Sequence, residues 1–265
     1  MSEWLQLFVR WTHVFAAILW VGTTYYFTWL DGQLRALEAR GGASPAVWML
    51  HSGGFYTVQK QKGLGVAPSE VHWFRWEAMV TWVSGVALLI MVYYTGGLMV
   101  SVLDASVSNT MAVACGAGAL VAGWIVYDLL ARSPIVRNDY AFAAVAFVLV
   151  VALAFGLETV LSPRATYIHI GGLFGTIMAA NVWMRILPPQ RRMIAAAARG
   201  DTIDPTLGAG AKERSKHNTF MAVPTVFLMV SNHFPTATYG NRHSVVILSL
   251  LILVGWLAAA AIRRA

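Results

Sequence analysis

Long apolar runs joined by short polar connections organise this chain. Seven stretches, near residues 5–30, 76–98, 110–131, 139–161, 164–187, 218–234 and 243–262, are predominantly apolar. Crossing about 30 Å of hydrocarbon takes about 20 mostly apolar residues. The pattern therefore predicts an all-α fold, a polytopic transmembrane helical bundle of about seven spans forming a single domain over residues 1–265. A membrane β-barrel would show alternating strands of about ten residues, and nothing here alternates that way. The first run holds His13 and Trp20 with no small-residue cleavage site after it, so it reads as a retained helix and not a signal peptide. Pro224, inside the sixth run, is expected to kink its helix and free a carbonyl for a neighbour to satisfy.

Composition agrees with that pattern. The chain is 58% hydrophobic and only 12% charged, against roughly a quarter charged in soluble domains. Its single cysteine, Cys115, allows no intramolecular disulfide. With CxxC and CxxCH both absent, a covalently attached c-type haem and a cysteine-based zinc site are excluded from these residues.

The net charge of +7 invites a nucleic-acid reading until the basic residues are placed. With seven spans, sixteen Lys and Arg fall on one side of the membrane and only Arg10, Arg164 and Arg242 on the other. That asymmetry puts the N-terminus outside and the C-terminus in the cytoplasm. The basic charge is then a matter of topology, with some of it free to attract an anion, and no nucleic acid is expected as a partner.

Two cytoplasmic loops, 31–72 and 188–217, are long enough to do more than connect spans. The first presents Trp48, His51, Phe55 and Tyr56 around Gly53 and Gly54. It is either a loop shaped to approach a ligand or part of the aromatic belt that gathers at headgroup level. The second holds a short basic helix from Gln190 to Arg199, then a turn rich in Gly and Pro, then a charged run, and reads as a solvated or headgroup-facing surface.

Seven histidines are the main chemical clue, because ionisable groups at membrane depth are costly and tend to mark cofactors, proton paths or substrate sites. His13 lies about 12 Å from the outer end of the first span at 1.5 Å per residue, and His169 lies at a similar depth in the fifth. His233 and His243 sit nearer the outer surface, and His51, His72 and His217 nearer the cytoplasm. Histidines from different helices at matched depth are how a helical core grips b-type haem; a hydrogen bond across a helix interface is the plainer alternative for each. Gly171 and Gly175 form a GxxxG that admits either a neighbouring backbone or a flat macrocycle. Asn181, Arg185, Arg75 and Glu77 line a polar pocket at the cytoplasmic end, unless Arg75 and Glu77 form a boundary ion pair.

The segments WTHVFAAILWVG, HSGGFY, HWFRWEAMVTWVSG, GWIVYDLLARSP, IHIGGLFGTIMAANVWMRILPPQRR and RSKHNTFMAVPTVFLMVSNHFP, in that order from residue 11 to residue 235, together resemble the membrane domain of the bacterial membrane-bound urate oxidase (urate hydroxylase) family. The resemblance implies oxidation of urate, or a related small anion, to 5-hydroxyisourate in the bacterial inner membrane, with electrons leaving through haem b. Matching positions are His13, His51, Phe55, Tyr56, Trp76, Glu77, His169, Asn181, His217, Asn218 and His233. Depth divides them: His13, His169 and His233 for the cofactor, with the haem iron on His13 and His169; His51, Phe55, Tyr56 and Arg75 for substrate; His217, Glu77 and Asn181 for catalysis. Family members continue into a C-terminal cytochrome c domain, and no CxxCH follows here. The expected electron acceptor is therefore a separate cytochrome or electron-transfer complex; the alternative is a non-catalytic, haem-bearing or structural subunit of a larger respiratory or photosynthetic complex.

Overall fold

The apolar runs become long helices. The computed structural model describes residues 3–41, 45–61, 70–101 and 107–264; residues 42–44 and 62–69 of the first long loop, Lys62 among them, lie outside. Helix α1 runs Glu3–Ala39, and α2, Trp76–Leu88, continues through a wide π-helical turn, Leu89–Tyr94. Next come α3 (Asn109–Leu130), α4 (Asp139–Glu158) and α5 (Pro163–Ala180). Helix α5 passes through a second π-helical turn, Asn181–Ile186, into α6 (Leu187–Arg199), and α7 (Pro205–Val230) and α8 (Ser244–Ile262) complete the set. By length and composition, six helices among the described residues suffice to cross a membrane. Helix α7 falls short because its first half carries Lys212, Glu213, Arg214 and Lys216.

Helix starts are written locally. Ser108 accepts from the Met111 N–H at 3.2 Å, Asn138 from those of Tyr140 and Ala141 at 3.1 Å, and Ser162 from that of Ala165 at 3.1 Å, each satisfying a donor the helix leaves open. Asp204 caps α7 through the hydroxyl and N–H of Thr206, bonds that hold its carboxyl below the usual carboxylate range. Gly200, at φ 74°, ends α6 in the left-handed conformation that favours glycine.

The all-α expectation has one exception. The loop 31–72 contains an antiparallel hairpin, β1 (Ala46–His51) and β2 (Gly54–Gln59). Ser52 and Gly53 both have positive φ, 50° and 78°, as a two-residue primed turn requires. Val47 and the half-buried Met49 and Val58 pack on Leu30, Leu34 and Leu37 of α1, and Lys60 pairs with Asp31.

Helix α5 is the interior element. It packs on α2, α3, α4 and α7 and buries Tyr167, His169, Ile170, Leu173, Phe174 and Ile177, among others. That is why a span containing His169, three glycines and Asn181 is tolerated: it faces protein on most sides. Helix α1 is peripheral and packs chiefly on α2. Of the GxxxG pair, Gly171 meets α7, where an added Cβ would lie 3.1 Å from Leu228, whereas Gly175 has nothing within 4 Å. Pro224 sits within α7 against Gly255 of α8, where a Cβ would come within 2.9 Å of its ring.

Candidate functional site at the basic end of the bundle

The last turn of α3, the wide turn after α5 and the middle of α7 meet at one end of the bundle. Tyr127 and Asp128 come from α3, Asn181 and Arg185 from the wide turn, and Arg214, His217 and Asn218 from α7. Within α7 these three share a face, since residues three and four apart are neighbours on a helix. A π-helical turn shifts the residues after it relative to those before, which is why such turns recur at functional sites.

Asp128 collects three guanidinium groups. Arg185 donates Nε and Nη2 at 2.8 and 2.6 Å, Arg214 Nη2 at 2.9 Å, and Arg132 Nη2 at 2.6 Å. One carboxylate against three cations leaves the cluster with an excess of positive charge.

Beside it runs a chain of bonds whose direction is set by its donors. Arg214 Nη1 donates to Asn181 Oδ1 at 3.4 Å, so the Asn181 amide nitrogen is the group that donates to Tyr127 Oη and to Asn218 Oδ1, both at 2.9 Å. Tyr127 then donates to His217 Nδ1 at 2.9 Å, and the His217 proton sits on Nε2, 3.2 Å from Glu213 Oε1. Asn218 donates to the Met178 carbonyl at 3.0 Å, and the His217 ring stacks on Phe142 at 4.4 Å. The side-chain amides and ring nitrogens of this network are engaged with one another.

Across the wide turn the polar atoms are not engaged. Trp183 lies two residues after Asn181, and the Arg75 guanidinium stands over the rings of Trp183 and Trp76 at 5.9 and 5.4 Å. Arg75 Nε, Glu77 Oε2 and Trp183 Nε1 are each buried without a hydrogen-bond partner. Among the described residues no ion pair joins Arg75 to Glu77. Half-buried Trp20, Trp73 and Trp183 pack around buried Ala78, Val182 and Leu187 in this region.

The hairpin residues stand apart. His51, Phe55 and Tyr56 are exposed, Phe55 at 77%, and His51 bonds its neighbour Ser52 at 2.9 Å. No hydrogen bond or ring contact among the described residues joins them to Arg75, Asn181 or His217.

His13 and His169 have similar surroundings on different helices. His13 Nδ1 donates to the Thr81 carbonyl at 2.9 Å, and His169 Nδ1 to the Ala165 carbonyl at 2.7 Å. Each bond makes Nε2 the lone-pair nitrogen, the tautomer in which an imidazole binds iron, so the donor chemistry of either ring fits a haem ligand. Each ring also faces a glycine: a Cβ on Gly85 of α2 would lie 3.0 Å from His13 Cε1, and one on Gly116 of α3 would lie 2.5 Å from His169 Nε2. The Tyr94 hydroxyl reaches His169 Nε2 at 3.4 Å. No hydrogen bond or ring contact among the described residues joins the two histidines, and His233 is exposed at the far end of α7.

Sequence reasoning placed Asn181, His217, Arg75 and Glu77 at this end and missed Tyr127, Asp128 and Arg214. Asp128 had a visible signal, being the one acidic residue in the run 110–131. Arg214 had none, because it looked like one more charge in a solvated loop.

The family described as urate oxidase N-terminal matches residues 1–264, nearly the whole chain. No curated protein and no solved structure matches it.

Proposed function

Given that the chain belongs to the urate oxidase N-terminal family, we propose that it spans the bacterial cytoplasmic membrane, N-terminus outside and basic end in the cytoplasm, and oxidises urate at that end. The observation that carries this reading is the trio of buried, partnerless atoms Arg75 Nε, Glu77 Oε2 and Trp183 Nε1. Leaving such a group unpaired costs about 1–3 kcal/mol, a cost that a ligand bonding all three removes. Two donors and one acceptor beside indole faces complement a planar oxopurine anion, whose rim carries both C=O and N–H groups.

In this reading Arg75 supplies the counter-charge and Trp76 and Trp183 the stacking surface. Glu77 Oε2 accepts a purine N–H and takes its proton as the ring is oxidised. Asn181 and His217 belong to the closed network on the other side of the wide turn and position Trp183 through it. His51, Phe55 and Tyr56 take no part. His13 and His169 would hold haem b through Nε2, and haem supplies one-electron transfer at a potential set by its axial ligands. The electrons then leave to an acceptor outside the chain.

Purified full-length protein loaded with haem and mixed anaerobically with urate tests the proposal. The expected result is reduction of a b-type spectrum with loss of urate absorbance. A haem-bearing protein indifferent to urate overturns it and supports a non-catalytic subunit instead.

A further inference from the structure

An elongated cavity of about 410 Å³ lies among α3, α4, α5, α7 and α8, on the Tyr127 side of the wide turn. Its polar lining residues, Tyr127, His217, Lys216 and Asp139, come from the last turn of α3, the first turn of α4 and the middle of α7. From there the wall is mostly apolar, with Phe142, Val150 and Leu153 from α4, Leu173 and Phe174 from α5, and Trp256 from α8, whose Nε1 is buried without a partner. Asp139 and Leu153 stand about 20 Å apart along α4 at 1.5 Å per residue. Val126 and Leu149, also in the lining, are 46% and 42% exposed. An apolar rim on α3 and α4 opens the side of the cavity, while its polar end reaches the exposed Asp139 side chain.

The shape asks for a molecule with a polar head and a long apolar tail that enters from the bilayer. Charge narrows the choice. Lys216 is paired with Asp139 at 2.5 Å and with Glu213 at 3.4 Å, so no free cation waits for a phosphate headgroup. Urate itself, an anion with polar atoms all round, finds little here to bond. With the Tyr127 hydroxyl and the His217 nitrogens taken up by one another, Asn181 and Glu213, what remains is a flat aromatic surface, Phe142 stacked on His217, and a donor in the lining without a partner among the described residues, Trp256 Nε1. Those suit a neutral, planar head with carbonyl oxygens.

We propose that this cavity binds an isoprenoid quinone, the acceptor for the electrons of urate oxidation; the second half of that statement rests on the function proposed above. The reaction balances: urate and water give 5-hydroxyisourate, two protons and two electrons, and the quinone takes two electrons and two protons to become the quinol. The bonds from Tyr127 to His217 and on to Glu213 link the polar end of the cavity to a partly exposed carboxylate; a shift of the His217 proton from Nε2 to Nδ1 and a turn of the Tyr127 hydroxyl would reverse that chain and aim it at the quinone oxygens.

The test is binding of a short-chain benzoquinone to the purified full-length protein in detergent, followed by equilibrium dialysis, with Ala146→Phe to fill the cavity and Ala146→Ser to keep it open. The expected result is about one quinone per chain for the wild type and the serine variant, and at least tenfold weaker binding for the phenylalanine variant. Monodisperse elution of each variant certifies folding. Equal binding by all three, or equal displacement by added phosphatidylglycerol, overturns the proposal. An Arg75→Gln variant that still binds quinone but no longer passes urate electrons to it supports both sites. Quinone that binds with the expected variant pattern yet is never reduced by urate supports the cavity assignment and overturns only the urate reading.

Discussion

Asp128 and Arg214 meet inside the protein, carboxylate to guanidinium at 2.9 Å, with side chains only 7% and 8% exposed. They are 86 residues apart in the chain, and their contact ties α3 to α7 below the wide turn after α5. Arg185 and Arg132 complete the cage around the same carboxylate. A buried charge with its partner removed is strongly destabilising even where the intact pair adds little.

Asp128→Asn is therefore expected to lower stability by about 3–5 kcal/mol, because it strands the buried Arg214 charge. Thermal unfolding in detergent measures it. A shift corresponding to less than about 1 kcal/mol, the range of a surface pair, contradicts the reading of Asp128 as the centre of the cluster.

The unpartnered trio makes a different prediction. Arg75→Gln and Glu77→Gln remove a charge from groups that bond little within the protein, so both variants fold with unchanged thermal stability. Urate oxidation falls tenfold or more, since a hydrogen bond to a charged group is worth about 1.5–3 kcal/mol. Arg75→Gln acts mainly on KM and Glu77→Gln mainly on kcat; steady-state kinetics with wild-type values for both variants would remove the trio from the site.

For the histidines, His13→Ala and His169→Ala are expected to lower haem content, read from the reduced-minus-oxidised spectrum. His217→Gln leaves haem content unchanged. Full haem occupancy in both alanine variants rules out these two imidazoles as ligands.

Glycine substitutions separate two environments on neighbouring helices. A Cβ on Gly116 would lie 2.5 Å from His169 Nε2 and 2.8 Å from its Cδ2, whereas Gly175 has nothing within 4 Å. Gly116→Ala is expected to cost about 1–3 kcal/mol as overpacking and to disturb the haem spectrum. Gly175→Ala is neutral or stabilising by up to about 1 kcal/mol from helix propensity. Equal unfolding temperatures for the two variants would show that His169 yields freely.

How much was legible follows from the range over which each signal acts. Hydrophobic runs and capping residues such as Ser108, Asn138 and Ser162 work within a few residues, so α2 to α5 and α8 follow their apolar runs closely, whereas α1 continues to Ala39 and α7 starts at Pro205, well outside the runs 5–30 and 218–234, because their extra turns are polar. The hairpin was not read, although Ser52-Gly53 between β-prone segments is a turn signal, because aromatic residues around glycines looked like a loop. The site was legible in part. Asn181, His217, Arg75 and Glu77 stand out as polar groups in or beside apolar runs, but nothing local says that the first two are mutually satisfied and the last two are not.

The sequence by itself determined that this is a helical chain with spans long enough for a membrane, that α5 is too polar to face lipid, and which family the chain resembles. The tertiary structure alone decided that Asn181 points to Tyr127 and Asn218, that Arg214 is buried on Asp128 and not solvated, and that Arg75 stands over Trp183 while both of them, and Glu77, hold unpaired atoms. The physical reason is that a hydrogen bond or ion pair depends on distance and burial. Both are set by how α3, α5 and α7 pack, and so by contacts between residues tens of positions apart.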